Sequence, residues 1–97
     1  MAKVIPDYVN AHFAKHPSDF TRPAIICKDG TVLSIQASRG HYCSPKESNA
    51  VHYTTAELGI FDGTWFRSLG PKQEDGIYGW APVEKLNAII HRKGGVQ

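Results

Sequence analysis

The fold is decided by the stretch TVLSIQAS, residues 31–38, in which apolar and polar side chains alternate. The apolar members share one face: Leu33, Ile35 and Ala37. The polar members share the other: Ser34, Gln36 and Ser38. A period of two with one polar side is typical of an antiparallel strand that packs one face on a core and leaves the other open to water or to a partner.

The residues on either side of this stretch predict the rest of a sheet. Residues 23–27, PAIIC, form an apolar run, and the turn residues Lys28, Asp29 and Gly30 connect it to the strand as a hairpin. Further along the chain, two more segments are predicted to be strands: residues 51–61 and residues 77–80. Neither side of residues 51–61 is fully apolar, so the pattern leaves the buried face of this strand open.

Amphipathic segments at the two ends predict helices over residues 6–15 and 82–93. Pro6 and Pro82 suit the first helical position, and glycines 94 and 95 supply the stop after the second helix. Each segment has a single apolar stripe to bury. We therefore expect an α+β fold in one domain over residues 1–97: a small antiparallel sheet of about four strands with an N-terminal and a C-terminal helix packed on one face.

Between the last two predicted strands, residues 62–76 form a long connection. Its first half contains Trp65 and Phe66, which we expect to pack on the core near a helical turn. Loops of this length are usually functional or mobile, and the pattern leaves the order of this one open.

Composition excludes several classes of protein. The chain has 97 residues, 41% of them apolar and 21% charged, which is ordinary for a small globular domain. The formal net charge is only +2 and the basic residues do not cluster, so nucleic acid is not an expected partner. No apolar run approaches the roughly 20 residues that cross a bilayer, and the first residues lack the apolar core of a signal peptide. We therefore expect a cytoplasmic protein that binds no membrane.

Chemistry-bearing side chains are densest from the second strand into the loop that follows it. Hydroxyl, amide, imidazole, phenol and thiol groups occur within residues 34–44, and a neighbouring strand can add its own polar face to theirs. The candidate ligand- or partner-binding residues are Ser34, Gln36, Ser38, His41, Tyr42, Tyr53, Glu57 and Trp80. Tyr78 and Trp80 are expected to share one face of the last strand, either in the core or at a binding surface. The alternative for the polar residues is an ordinary solvated sheet face.

Catalysis and metal binding are the competing interpretations. Cys27 and Cys43 form no Cys-x-x-Cys pair and are expected to be reduced thiols, although the sequence leaves a disulfide between them open. A small metal- or thiol-dependent enzyme would use His41, Cys43 and Glu57, but no group is identifiable that would orient the histidine. The chain also lacks the His-Glu-x-x-His signature and a Gly-rich phosphate loop. We therefore expect no cofactor and no enzymatic activity.

Four motifs stand out along the chain: SIQAS at residues 34–38, HYCSP at 41–45, YGWAPVE at 78–84 and the glycine pair at 94 and 95. Together they resemble a group of small uncharacterised open reading frames from phages and prophages, and the resemblance spans about residues 21–96. The chain departs from the pattern at Lys46, where arginine is expected, and at Trp80, where tyrosine followed by valine is expected. Both departures alter the candidate surface.

The resemblance implies a setting in the cytoplasm of an infected bacterium. It implies a non-enzymatic binding protein that counters host defence, either by binding a defence protein such as a CRISPR effector or by sequestering a nucleotide signal. A protein partner would use Tyr42 and Trp80 as anchors, whereas a nucleotide would use the hydroxyl and amide groups. A structural phage component, with the polar face as an assembly interface in a homo-oligomer, is the third interpretation.

Overall fold

The structure, a computed structural model, describes residues 4–60, 64–74 and 76–97. In these ranges it contains two α-helices, α1 (Tyr8–Lys15) and α2 (Val83–Arg92). It also contains four strands, β1 (Ile25–Ile26), β2 (Val32–Gln36), β3 (Thr55–Gly59) and β4 (Ile77–Pro82). The strands form one sheet in the order β1-β2-β3-β4, and every neighbouring pair is antiparallel. The predicted α+β fold is confirmed, since α2 contacts both α1 and the sheet.

The predicted hairpin is present between β1 and β2. Ile25 pairs with Leu33 and Ile26 with Val32. Gly30 has a φ of 92°, which a residue without a Cβ adopts at little cost. The amide of Thr31 is bound by the Asp29 carboxylate at 2.9 Å, which fixes the turn.

The end of the described chain covers the outer edge of β1. Cys27 and Val96 form an isolated antiparallel bridge. The amide of Lys28 donates to the carbonyl of Gly95, and the amide of Gln97 donates to the carbonyl of Ile26, both at 2.9 Å. The residues after α2 therefore protect an edge that would otherwise expose unpaired backbone groups.

The core lies between the sheet and the two helices. α1 contributes Val9 and Phe13, and α2 contributes a longer buried stripe that includes Leu86, Ile89 and Ile90. The sheet and Ile60, the residue that follows β3, contribute the following fully or nearly fully buried side chains: Ile25, Leu33, Ile35, Ala56, Leu58, Ile60 and Tyr78. The buried face of the third strand, which the sequence left open, is therefore the one that carries Ala56, Leu58 and Ile60.

Several predicted element boundaries are wrong by a few residues. α1 begins at Tyr8 because Asp7 is its N-cap and accepts a hydrogen bond from the amide of Asn10 at 3.1 Å. Pro6 therefore precedes the cap. β3 begins only at Thr55, and Phe61, the last residue predicted for it, lies outside the described residues.

The two helices are joined through a buried side chain of α2. Asn87 accepts a hydrogen bond from the amide of Val9 at 3.0 Å and donates to the Asp7 carboxylate at 3.1 Å. It thus satisfies a backbone N–H of the first turn of α1 that has no partner within the helix. Tyr8 and His91 share a further hydrogen bond at 3.0 Å.

The long connection matches its prediction only in part. Residues Arg67–Leu69 form a 3-10 turn and Phe66 packs against the core, as predicted. Trp65 does not pack there, since it is 59% exposed and lies under the guanidinium of Arg67 at 5.6 Å. Residues 62, 63 and 75 of this connection lie outside the described residues.

Candidate functional site

Gln36 is a structural bridge rather than an open ligand-binding group. Its Oε1 accepts the amide of Arg22 at 2.7 Å, and its Nε2 donates to the carbonyl of the same residue at 2.9 Å. This pair of hydrogen bonds extends the pairing of β1 with β2 to Arg22, which precedes the first residue of β1. The side-chain amide of Gln36 takes the place of a strand backbone there. The prediction of an open polar face is therefore wrong for Gln36, which is 9% exposed, and for Ser38, which is fully buried.

Ser38 and His41 close the turn that follows β2. The Ser38 hydroxyl accepts the amide of Gly40 at 3.0 Å and shares a 2.7 Å hydrogen bond with Nδ1 of His41. The Phe20 ring stacks on the imidazole, with 4.7 Å between centroids and 21° between planes. Burial lowers the pKa of His41; the Glu57 carboxylate opposes this shift and the Arg22 guanidinium adds to it. His41 is thus a packed side chain whose neutral form is favoured by burial.

The two cysteines are free and buried, which answers the disulfide question that the sequence left open. The Cys43 thiol donates to the carbonyl of Ser38 at 3.2 Å. Burial raises the pKa of both thiols. A thiolate nucleophile is therefore disfavoured at Cys43, because the thiolate is the reactive form.

Tyr42 connects two carboxylates that are distant in the sequence. Its amide donates to Oε2 of Glu57 at 2.9 Å, and its hydroxyl donates to Oε1 of Glu74 at 2.5 Å. The hydrogen bond to Glu74 raises the pKa of the Tyr42 phenol. Sequence reasoning missed Glu74, because nothing in the polar run at 70–76 indicates that it folds back onto the HYCSP segment.

Trp80 occupies a β-bulge in β4. Ala56 pairs with Ala81 and Leu58 with Tyr78, so two residues of β4, Gly79 and Trp80, lie opposite the single residue between them on β3. The bulge reverses the expected alternation: Tyr78 is buried in the core, while Trp80 is 42% exposed. The prediction that these two rings share a face is therefore wrong.

The bulge holds Trp80 against Tyr42. The Trp80 amide donates to the Tyr42 carbonyl at 2.9 Å, and the ring centroids are 4.9 Å apart. A Cβ at position 79 would lie 2.9 Å from the Tyr42 Cβ, so Gly79 permits this approach. Trp80 itself has a φ of 48°, which is uncommon for a bulky residue and costs about 1–3 kcal/mol. Tyr42, Trp80, Glu57 and Glu74 together are called the Tyr42–Trp80 surface below.

Tyr53 does not belong to this surface. Its ring is fully buried and meets Phe13 edge-on, with 5.2 Å between centroids. Its hydroxyl donates to the carbonyl of Glu47 at 2.5 Å and accepts the amide of Ala50 at 3.1 Å. Tyr53 therefore anchors the 39–50 loop to the core and is unavailable to a ligand.

Ser34 lies apart from the Tyr42–Trp80 surface, in a separate cleft. The cleft has a volume of about 720 Å³, and no residue of that surface lines it. Its walls combine hydroxyl groups, one ammonium group and apolar side chains, including those of Thr31, Ser34, Phe66 and Lys93. Of the eight candidate residues, Tyr42, Glu57 and Trp80 thus lie together with Glu74, and Ser34 lies in a cleft. The other four form contacts inside the fold: Gln36, Ser38, His41 and Tyr53.

The described ranges contain neither a cluster of metal ligands nor a membrane-spanning helix. No three His, Cys, Asp or Glu side chains there come close enough together to hold a metal ion. The rings of His12 and His16 are 4.7 Å apart, but Nε2 of His12 is occupied at 2.7 Å by the carbonyl of Pro23. Over the same residues, neither helix has the length and apolar character that a bilayer span requires.

Comparison with known protein families, with curated proteins and with solved structures finds no match. The resemblance to phage open reading frames therefore stays a prediction from the sequence motifs.

Proposed function

We propose that this protein is a non-enzymatic binding protein that counters bacterial host defence by binding a defence protein through the Tyr42–Trp80 surface. The observation that carries the proposal is the conformation of Trp80. The backbone of Trp80 is left-handed, and its large apolar ring is partly exposed, so the ring contributes little to the core. Strain of this kind persists where surrounding contacts enforce it, and it concentrates at functional positions.

The chemistry of this surface suits a protein partner with a basic side chain. Trp and Tyr are over-represented among residues that dominate binding energy, and their ring faces attract cations. Glu57 and Glu74 each use one carboxylate oxygen to bind Tyr42 and keep the other. The only ion pair within 4.0 Å in the described ranges joins Lys93 and Asp29, so neither glutamate is paired with a described cation. An arginine or lysine of the partner would complete the site.

The motifs that carry the phage resemblance also supply this surface. Tyr42 belongs to HYCSP and Trp80 to YGWAPVE, and the two segments meet through the Trp80 amide and the Tyr42 carbonyl. Trp80 is also a position at which the chain departs from the resembling pattern, as expected where related proteins bind different targets. The resemblance supports a partner in the cytoplasm of an infected bacterium, and the proposed target is a defence protein such as a CRISPR effector.

The thiol-dependent alternative has less support. Its nucleophile, Cys43, is buried and has a raised pKa, and its histidine is bound to Ser38 and covered by Phe20. The metal-dependent alternative lacks a cluster of ligands among the described residues. Neither arrangement provides an accessible reactive group next to an orienting partner.

A nucleotide signal is the second candidate ligand, and the Ser34 cleft is the observation that favours it. About 720 Å³ is enough for a nucleotide-sized molecule. Lys93 offers a cation for phosphate, Thr31 and Ser34 offer hydroxyl groups, and Phe66 offers an aromatic ring. This candidate uses a different part of the molecule, so the two can be separated by mutation.

The experiment is an infection assay in bacteria that carry one defined defence system each. The chain is expressed as wild type, Trp80→Ala, Trp65→Ala and Lys93→Ala, and phage plating is measured on each strain. Trp65→Ala is the matched control because Trp65 is also an exposed tryptophan but lies outside the proposed surface. We expect the wild type to restore plating against one system by at least about tenfold, and Trp80→Ala to lose this protection because its target binding is weaker. A tenfold weaker binding constant corresponds to about 1.4 kcal/mol.

The outcomes separate the proposals. Loss of protection in Trp80→Ala alone, with an unchanged melting temperature, supports the Tyr42–Trp80 surface. Loss in Lys93→Ala alone supports nucleotide sequestration in the cleft. Protection that survives both changes refutes both sites, and a wild type that restores plating against none of the systems refutes the anti-defence function itself.

A further inference from the structure

Arg22 is a buried cation that the described chain leaves only partly satisfied. The residue is 5% exposed, and its guanidinium lies over the Phe13 ring at 4.6 Å. Nε donates to the carbonyl of His16 at 2.8 Å, Nη1 to the carbonyl of Ala37 at 2.5 Å, and Nη2 to Oδ1 of Asn49 at 3.1 Å. A guanidinium has five N–H donors, so these three bonds leave two without a described acceptor.

All three acceptors are neutral. In the described ranges no carboxylate oxygen lies within 4.0 Å of the guanidinium, since the one ion pair found there joins Lys93 and Asp29. A buried charge without a counter-charge is destabilising, because the free energy lost on its removal from water is not recovered from an opposite charge. Hydrogen bonds to neutral oxygens offset only part of this cost.

A cavity adjoins the same side chain. It has a volume of about 170 Å³, and its lining includes Arg22, Phe13, Asn10, Asn49, Ala14 and Val51. Four of the lining residues are exposed and form the rim, Ala14, Pro17, Asn49 and Val51, while Phe13 and Arg22 are buried. The cavity therefore has a cationic, aromatic interior and a mostly apolar entrance, with Asn49 as its polar member.

We propose that this cavity binds a carboxylate group. A carboxylate is planar, it matches the spacing of guanidinium donors, and it supplies the missing negative charge where burial strengthens the interaction. The volume holds one such group with a short apolar stem. The cavity shares no residue with the Tyr42–Trp80 surface or with the Ser34 cleft, so the proposal is independent of the function proposed above.

The test is a titration with sodium acetate, followed by NMR at the Arg22 Nε–H and the Asn49 side-chain amide, with sodium chloride at the same ionic strength as reference. We expect saturable shifts with acetate and only small, non-saturating shifts with chloride. We also expect the melting temperature to rise with acetate concentration, because a ligand that binds only the folded state stabilises it.

A pair of variants locates the site without altering Arg22. Val51 is fully exposed at the rim, so its replacement leaves the core intact. In Val51→Glu, a carboxylate fixed at the entrance repels acetate or takes its place, and we expect at least tenfold weaker acetate binding. Val51→Gln, whose side chain has nearly the shape of glutamate but carries no charge, should bind acetate as the wild type does. Equal acetate binding by the two variants, or equal responses to acetate and chloride in the wild type, overturns the proposal.

The same titration distinguishes the two sources of a carboxylate. N-acetylglutamate amide represents an acidic side chain of a partner, and N-acetylglutamine amide is its uncharged control. Tighter binding of the glutamate compound than of acetate assigns the cavity to a partner's side chain, whereas tighter binding of acetate assigns it to a small free acid. Binding of the glutamine compound with equal affinity contradicts carboxylate recognition.

Discussion

The backbone amide of Trp80 donates a hydrogen bond to the carbonyl of Tyr42 at 2.9 Å, and the rings of the two residues lie 4.9 Å apart. This contact joins a loop that follows β2 to a bulge in β4. The hydrogen bond from the amide fixes the backbone of Trp80, and the contact between the rings fixes its side chain. An exposed tryptophan is thereby held in one orientation before any partner binds, which reduces the conformational entropy lost on binding.

The left-handed conformation of Trp80 predicts an unusual ranking of two variants. Trp80→Ala and Trp80→Gly both remove the ring, whose contact with Tyr42 is worth about 0.5–1.5 kcal/mol. Only glycine relieves the positive φ of 48°. We therefore expect Trp80→Gly to be more stable than Trp80→Ala by about 1 kcal/mol in urea unfolding. Both variants should lose partner binding.

This ranking opposes the usual one, because alanine in an ordinary strand is more stable than glycine. Ala81→Gly, one residue further along β4 and in regular pairing with Ala56, is the matched control and should be destabilising. An alanine variant at position 80 that equals or exceeds the glycine variant in stability would show that the backbone is not held left-handed.

Gln36 and Ser34, adjacent on the polar side of β2, should respond differently to truncation. Gln36→Ala leaves the buried amide and carbonyl of Arg22 without their partner, which costs about 1–3 kcal/mol for each unsatisfied group. Ser34→Ala loses one weak bond at 3.3 Å on a partly exposed side chain and should cost less than about 0.5 kcal/mol. Urea unfolding of the two single variants measures both. A Gln36→Ala protein with wild-type stability would contradict the structural role.

Local periodicity predicted the parts of the fold that depend on short-range pattern. The alternation at residues 31–38, the turn at Gly30 and the stripe of Leu86, Ile89 and Ile90 each reflect which face of one element is buried. The same reasoning failed at Gln36, because its burial is caused by Arg22, fourteen positions earlier in the chain. The alternation of apolar and polar residues predicts which face of the sheet a residue occupies, but it does not predict which other residues cover that face.

The candidate site depends on contacts that have no local signal. Glu74 reaches Tyr42 across thirty-two positions, and no spacing in the polar run at 70–76 indicates that partner. The bulge at Trp80 inserts one extra residue into β4, which moves Trp80 out of the face occupied by Tyr78. Gly79 beside Trp80 was a signal for this, since an isolated glycine in a strand often marks a bulge or a close backbone approach.

The hydrogen bond between Tyr42 and Glu74 should be visible in a pH titration. The bond raises the pKa of the Tyr42 phenol above its usual value of 10.0, since ionisation would break it and place two negative charges together. A raised folded-state pKa means that the stabilisation is complete below pH 10 and is lost as the pH rises through the raised value. We expect Glu74→Gln to lower the Tyr42 pKa, as measured by NMR at the phenol Cζ. Glu84→Gln, an exposed glutamate on α2, is the control, and an equal Tyr42 pKa in both variants would contradict the contact.

Burial of His41 predicts that stability falls between pH 7 and pH 5. Because burial lowers the pKa of His41 below 6.5, the unfolded chain binds a proton in this range before the folded chain does. His12 has a pKa lowered in the same direction and adds to the effect. The free energy of unfolding should therefore decrease as the pH falls. His41→Gln, which can keep a hydrogen bond to Ser38, should reduce this dependence. Urea unfolding at pH 7 and pH 5 gives the slopes, and identical slopes for the wild type and His41→Gln would show that His41 is protonated as readily in the folded chain as in the unfolded one.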